Sequence, residues 1–245
     1  MKVPLSGAER RLTMPKKSML GVSEVQGPIA DLLQKLGGPK GEVWLEGLKF
    51  FLRKERSSGG LDPFQLLADW ERYFQEIHKL KVDFSGVAIP EADDDDFPWI
   101  VCVPADFSTE RAYSGGKQLY PKTKWTDKSL DDVMDLSFGR DGMRESYIIR
   151  FHSNWEADED LKNLSALAIA ERKIKTGTLK ERLLLGDFLF WKFRKHLDRK
   201  YVTYCAGSRC AVGGVPFVDW VVGGLRVHWA GLDGASPDLR SRVAV

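Results

Sequence analysis

The stretch from Thr178 to Phe193, TLKERLLLGDFLFWKF, predicts the helix that decides the fold. Thr178 is followed three positions later by Glu181, which is the capping-box pattern of a helix start. Leucine and aromatic residues crowd the rest of the segment, so the helix must be covered on more than one side. We therefore expect it to form the core against which the rest of the chain packs.

Strand patterns flank this helix on both sides. Downstream, β-rich runs occur at 201–205, 215–220 and 225–229. The glycine pairs between these runs, at 213–214 and 223–224, are typical of hairpin turns. Upstream, short apolar runs at 99–103 and 147–152 predict two more strands. We expect the resulting sheet to pack on the 178–196 helix.

The first third of the chain predicts helices. Apolar residues recur at helical spacing over 28–36, 42–56 and 63–80. Asp62 followed by Pro63 is a typical start for the third of these helices. Short connections between them indicate a small bundle. The predicted fold class is α+β, with an N-terminal helical bundle followed by a mixed α/β domain with C-terminal β-hairpins.

Composition divides the chain into four parts. We predict a basic flexible arm over 1–20, a helical domain over 21–81, a strand and acidic linker over 82–98, and a mixed α/β domain over 99–245. The run Asp93 to Asp96 marks the linker, because like charges in sequence resist both helix and sheet. A solvated loop is the expected structure there, and a cation site is the alternative.

Composition also excludes several classes of protein. Of the 245 residues, 43% are hydrophobic and 29% charged, and no apolar run approaches the roughly 18 residues of a membrane span. Three cysteines do not form a fully paired disulfide framework, and the four histidines lack the close pairings of metal sites. We expect a cytoplasmic protein with no membrane contact, no metal and no cofactor.

Charge is distributed unevenly along the chain. Residues 83–160 carry eighteen acidic and eight basic residues, whereas residues 171–209 carry eleven basic and four acidic residues. The basic segment either forms a solvated face that pairs with the acidic one or binds nucleic acid. In the second case the contacts would come from Lys192, Arg194, Lys195, Arg199 and Lys200. Trp191, Tyr201 and Tyr204 would then be available for stacking.

The turn Cys205-Ala-Gly-Ser-Arg209 is the predicted ligand-binding segment, with contacts from Cys205, Ser208 and Arg209. Arg209 would hold a phosphate or carboxylate, or alternatively pair with the acidic segment. A hydrolase with Cys205 or Ser208 as nucleophile, activated by His196 or His152, is the enzymatic alternative. The turn lacks the Gly-x-Ser-x-Gly pattern of a nucleophile elbow, so no residue is assigned as catalytic.

Four segments carry a resemblance. EADEDLKNLSA at 156–166, TLKERLL at 178–184, HLD at 196–198 and CAGSR at 205–209 resemble a family of bacterial hypothetical proteins. The resemblance implies a bacterial intracellular protein and implies no activity, cofactor or catalytic residue. From the residues themselves, we expect a non-enzymatic binding or interaction module whose partner is a protein or a nucleic acid.

Overall fold

The computed structural model describes residues 22–39, 41–42, 45, 48, 63–92 and 96–245. The chain divides into two compact units, residues 1–55 and residues 56–245. In the first unit, helix α1 spans Val22–Leu36 and carries a surface ion pair between Lys35 Nζ and Asp31 Oδ2 at 2.6 Å. The predicted basic arm over 1–20 lies outside the described residues.

The second unit mixes helices and strands, in agreement with the predicted α+β class. Its helices are α2 (Pro63–Ile77), α3 (Thr109–Gly115), α4 (Leu130–Val133), α5 (Ala166–Glu171) and α6 (Leu179–Phe193). Its strands are β1 (Trp99–Val103), β2 (Lys122–Lys124), β3 (Tyr147–Phe151), β4 (Val202–Tyr204), β5 (Val215–Val221), β6 (Gly224–Ala230) and β7 (Leu239–Arg240). Among the described helices, none has the length and apolar character to cross a membrane.

The strands form two sheets. β1 and β3 make an antiparallel ribbon, and the other strands form a sheet in the order β2-β6-β5-β4-β7. β5 and β6 are joined by the predicted Gly223-Gly224 turn, and both glycines have positive φ. β2 pairs with β6, and β7 with β4, in parallel. Gly213-Gly214 lies in the longer connection from β4 to β5, so it does not form a two-residue hairpin turn.

Helix α6 begins as predicted and lies in the core. Thr178 Oγ1 accepts a hydrogen bond from Glu181 N, and Thr178 N donates to Glu181 Oε2 at 2.8 Å, which completes the capping box. Every residue from Leu179 to Leu189 is buried. Apolar side chains from both sheets, including Val101 of β1 and Val218 of β5, share one core cluster with the leucines of α6.

Helix α2 packs into the same core. Trp70 stacks on Phe188 of α6 with ring centroids 4.0 Å apart, and Trp70 Nε1 donates to Ile100 O of β1. The apolar face of α2 is therefore covered by α6 and β1. The predicted N-terminal bundle is not supported, and most of its second helix, predicted over 42–56, lies outside the described residues.

Residues 82–89, the first part of the predicted strand and acidic linker over 82–98, turn and form no strand. Ser85 N donates to Asp83 Oδ1 at 2.9 Å, and Val87 N donates to Phe84 O at 3.0 Å. Aspartate side chains that bond the backbone two residues on favour a turn over a strand. Asp93 to Asp95, most of the predicted acidic run, lie outside the described residues.

Candidate binding surface

The structure places Cys205 inside the protein. Its side chain is buried, and burial raises the pKa of its thiol well above the ordinary value. Burial likewise raises the pKa of Cys210 to about 11. Reactive cysteines have lowered pKa values, because the thiolate is the nucleophile. Both thiols are therefore protonated at neutral pH and pack as small apolar groups.

Ser208 holds the start of α6. Its Oγ accepts a hydrogen bond from Leu179 N at 2.8 Å, and the residue has no exposed surface. The first N–H groups of a helix have no partner within the helix, so this contact satisfies a donor that would otherwise be buried and unpaired. The hydroxyl thus connects the 205–209 turn to the core helix.

Arg209 is bound by its own turn. Its Nη1 donates to Ala206 O at 2.9 Å and to Ser208 O at 2.7 Å, and its guanidinium lies 4.2 Å from the centroid of the Phe138 ring. Within the part of the chain that the structure describes, Arg209 forms no ion pair with the acidic segment. The guanidinium therefore closes the turn and packs on an aromatic ring.

The two histidines of the hydrolase alternative contact other groups. His196 stacks on Phe190 with centroids 4.4 Å apart, and His152 Nδ1 lies 3.1 Å from Asp158 Oδ2. Across the described contacts, neither ring is hydrogen-bonded to Cys205 or Ser208. The hydrolase alternative therefore draws no support from the geometry of the turn.

The predicted basic cluster has a different character. Four of its members, Arg194, Lys195, Arg199 and Lys200, are exposed around the C-terminal end of α6. Among the described residues, no carboxylate pairs with the side chains of Arg194, Lys195 or Arg199. The carboxylate of Glu156 lies beside the neighbouring backbone, where it accepts hydrogen bonds from Lys200 N and Tyr201 N at 3.2 Å, so the three cations are exposed without an ion pair of their own.

Each of these four cations lies over an aromatic ring. The pairs are Arg194 over Phe190 at 5.8 Å, Lys195 over Trp155 at 3.9 Å, Arg199 over Trp220 at 4.9 Å and Lys200 over Tyr201 at 4.8 Å, measured to the ring centroid. Such a contact contributes about 0.5–1 kcal/mol at an exposed site. We call these eight residues the aromatic–basic surface.

The loop after α6 presents this surface. Arg194 ends the helix in the left-handed conformation with φ of 55°, and Asp198 adopts a similar φ of 54°. In the loop that follows, Leu197 and Asp198 are buried, whereas Lys195 and Arg199 are exposed. The alternation directs the cations outward while the loop backbone stays attached to the core.

Two hydrogen bonds join the loop to Trp155 and Trp220. Asp198 N donates to Trp155 O at 2.9 Å, and Trp220 Nε1 donates to Leu197 O at 2.8 Å. Both tryptophan side chains are partly buried. The second bond fixes the indole of Trp220 against the loop, whereas the first fixes only the backbone of Trp155, whose ring packs on Trp99 and Phe193.

A buried ion-pair group anchors the loop. Asp198 Oδ1 lies 2.5 Å from Arg242 Nη2, and Asp198 Oδ2 lies 2.7 Å from Arg182 Nε of α6. Although burial alone would raise the pKa of Asp198, the guanidinium groups of Arg242 and Arg182 hold that pKa below its ordinary value. The carboxylate thus stays charged between two arginines.

Three other residues named with the basic cluster lie outside the aromatic–basic surface. Lys192 does not belong to the open cluster, because its Nζ pairs with Asp69 Oδ2 at 2.5 Å. Tyr204 is buried and donates its hydroxyl to Gly231 O, so it has no free face for stacking. Trp191 lies apart from this surface, because its Nε1 donates to Glu76 Oε2 at 2.8 Å and the guanidinium over its ring, that of Arg72, is itself paired with Glu76.

Sequence reasoning also missed the charges inside the core helix. Lys180, Glu181, Arg182 and Asp187 are all buried, and Lys122 Nζ lies 2.6 Å from both carboxylate oxygens of Asp187. One signal was available. Charged residues in a helix that must be covered all round require buried partners.

No group of three or more His, Cys, Asp or Glu side chains suited to a metal ion occurs in the described ranges. The candidate site is therefore the aromatic–basic surface. Compared with known proteins, this chain is matched by no family model, no curated sequence and no solved structure.

Proposed function

We propose that the protein is a non-enzymatic binding protein whose ligand is nucleic acid, held on the aromatic–basic surface. One observation carries the proposal: Arg194, Lys195 and Arg199 are exposed together at the end of α6 and lie on aromatic rings, with no acidic partner in the described part of the chain. The phosphate backbone of nucleic acids supplies the negative charge that such a surface attracts.

The energetics favour a transfer of these cations to a ligand. A cation over an exposed ring gains only about 0.5–1 kcal/mol, and the ring does not neutralise its charge. Contacts between Arg or Lys and phosphate are charge-assisted and release condensed counterions. The cations therefore lose little when they leave the rings and gain more when they reach a phosphate.

The proposal includes a cellular location for the protein. Cys102, Cys205 and Cys210 are all free and buried, as is typical of proteins in a reducing compartment. Together with the resemblance to bacterial proteins, this favours the bacterial cytoplasm. A binding role without chemistry fits the buried, protonated Cys205 and the capping role of Ser208.

The test is a fluorescence-anisotropy titration with labelled oligonucleotides of about 16 nucleotides, single- and double-stranded, at low salt. The variant is Arg194→Glu/Lys195→Glu/Arg199→Glu. We expect the wild type to bind and the variant to bind at least about ten-fold more weakly.

The control is Arg144→Glu, which reverses one exposed charge in the loop between α4 and β3 and is compared with the single variant Arg199→Glu as well as with the triple variant. We expect its affinity to stay within about two-fold of the wild type, because it leaves the aromatic–basic surface intact. Circular dichroism checks that each variant is folded. Absence of binding by the wild type, or equal losses in Arg144→Glu and Arg199→Glu, would overturn the proposal.

A further inference from the structure

We propose that the aromatic–basic surface recognises single-stranded nucleic acid by stacking unpaired bases on Trp155 and Trp220. In the bound state, Lys195 and Arg199 leave these rings and contact the phosphates. This inference rests on the proposed function and adds to it the class of nucleic acid and the residues that read its bases.

Trp155 has the features of a covered stacking platform. The ring is held edge-on by Trp99, with centroids 5.4 Å apart, and by Phe193 at 6.3 Å. Lys195 Nζ lies 3.9 Å from its centroid. The lysine is exposed and flexible, so it can swing away and uncover the ring without a change in the backbone.

Trp220 repeats the arrangement with another cation of the same loop. Its Nε1 is hydrogen-bonded to Leu197 O, and its ring packs on His196 with centroids 4.1 Å apart. The exposed Arg199 guanidinium lies 4.9 Å from the ring centroid. Tyr120 and His196 thus hold the ring from the protein side, and the long, exposed side chain of Arg199 lies over it.

Lys195 and Arg199, which lie over the two rings, determine which class of nucleic acid binds. A base stacked on an aromatic side chain contributes more than a cation held over an exposed ring, so bases displace the covers. The released cations then lie beside the phosphates that connect those bases. In a duplex the bases are stacked on one another and paired, so their faces are not available to a protein side chain.

Three ligands of equal length test this inference on the wild-type protein at one salt concentration: a single strand, its abasic counterpart and the duplex. The abasic strand has the same phosphates and no bases. We expect the normal single strand to bind about ten-fold or more tightly than the abasic strand, and more tightly than the duplex. Quenching of tryptophan fluorescence should accompany binding of the normal strand alone.

Variants then locate the stacking. Trp155→Leu and Trp220→Leu should each reduce the difference in affinity between the normal and the abasic strand. Trp229→Leu is the matched control, because Trp229 is 38% exposed near the opposite end of the β5–β6 hairpin. Trp229→Leu should leave this difference in affinity unchanged.

The outcomes separate the two proposals. Equal affinity for the normal and abasic strands, or tighter binding of the duplex, would overturn base stacking and leave nucleic-acid binding standing. No binding of any of the three ligands at low salt would overturn both. The decisive comparison uses the wild type, so it does not depend on whether a tryptophan variant folds.

Discussion

Arg182 Nε lies 2.7 Å from Asp198 Oδ2, in an ion pair with almost no solvent exposure. Arg182 belongs to the core helix α6, and Asp198 belongs to the loop that carries Lys195 and Arg199. The pair therefore connects the buried core helix to the loop of the aromatic–basic surface. Arg242, from the C-terminal segment, contacts the same carboxylate and completes the anchor.

Replacing Asp198 should break the ion pairs that anchor the loop to α6 and lower the stability of the protein. In Asp198→Asn, two buried guanidinium groups face a neutral amide, and we expect a loss of about 3 kcal/mol in the free energy of unfolding. Nucleic-acid affinity should fall as well, although no surface charge is removed. Urea denaturation at pH 7 measures the first effect, and anisotropy measures the second.

Asp219→Asn is the control for that variant. Asp219 pairs with Arg226, whose side chain is 42% exposed, so the loss should stay below about 1 kcal/mol. Because the pKa of Asp198 is lowered in the fold, its stabilisation is present above its unfolded-state pKa and is lost as the pH falls through the folded value. Equal stability of Asp198→Asn and the wild type at pH 7 would contradict the anchor.

Asp141 should have the opposite effect on stability. The residue is 4% exposed, and burial raises the pKa of its carboxyl to about 6, although Ser208, Lys180 and Thr178 act to lower it. The folded state therefore favours the protonated form. This contribution to stability is complete below the unfolded-state pKa of 3.8 and is lost as the pH rises through about 6.

Asp141→Asn removes the charge that folding disfavours. We expect a gain of about 3 kcal/mol in the free energy of unfolding near pH 8, shrinking toward zero near pH 4. Thermal or urea unfolding across this pH range measures it. In the control Asp135→Asn no gain should appear, because hydrogen bonds from Ser137 lower the pKa of Asp135. A pH-independent effect of Asp141→Asn would contradict the assignment.

Removing one partner of the ion pair between Lys122 and Asp187 should destabilise the protein more than removing both. Both side chains are fully buried. Lys122→Met leaves an uncompensated buried carboxylate, and we expect a loss of about 3–5 kcal/mol. The double variant Lys122→Met/Asp187→Leu removes both charges and should recover a large part of that loss. If the double variant is less stable than the single variant, the charge explanation is wrong.

Cys205 should be inert in the folded protein. Its thiol is buried and its pKa is raised, so the thiolate that attacks a thiol reagent is scarce. At neutral pH we expect labelling by an aromatic disulfide reagent only at the rate of unfolding, followed by rapid reaction of all three cysteines in urea. Fast modification of Cys205 in the native protein would revive the hydrolase alternative.

The sequence predicted the local features of this fold well. The capping box at Thr178 and the strands at Trp99–Val103 and Tyr147–Phe151 depend on residues close together in sequence, and each is present. The parallel pairing of β2 with β6 depends on segments about a hundred residues apart. No local pattern encodes which strands meet, so only the three-dimensional structure shows that pairing.

The candidate surface was predictable only in part. The basic residues of 194–200 are visible as a cluster in the sequence, but Trp155 and Trp220, over which two of them lie, come from distant segments. The charge count also included Lys192, because a sequence does not reveal that Asp69 of α2 lies beside it.

Salt dependence is the most direct test of binding through the aromatic–basic surface. The measurement is the affinity for a labelled single strand over a series of salt concentrations, for the wild type and for Arg194→Glu/Lys195→Glu/Arg199→Glu. We predict that the logarithm of the wild-type association constant falls linearly with the logarithm of salt concentration, with a slope of about −2 if three phosphates are contacted, and that the variant loses most of this slope. Binding with no salt dependence, or the same slope in both proteins, would contradict binding through the aromatic–basic surface.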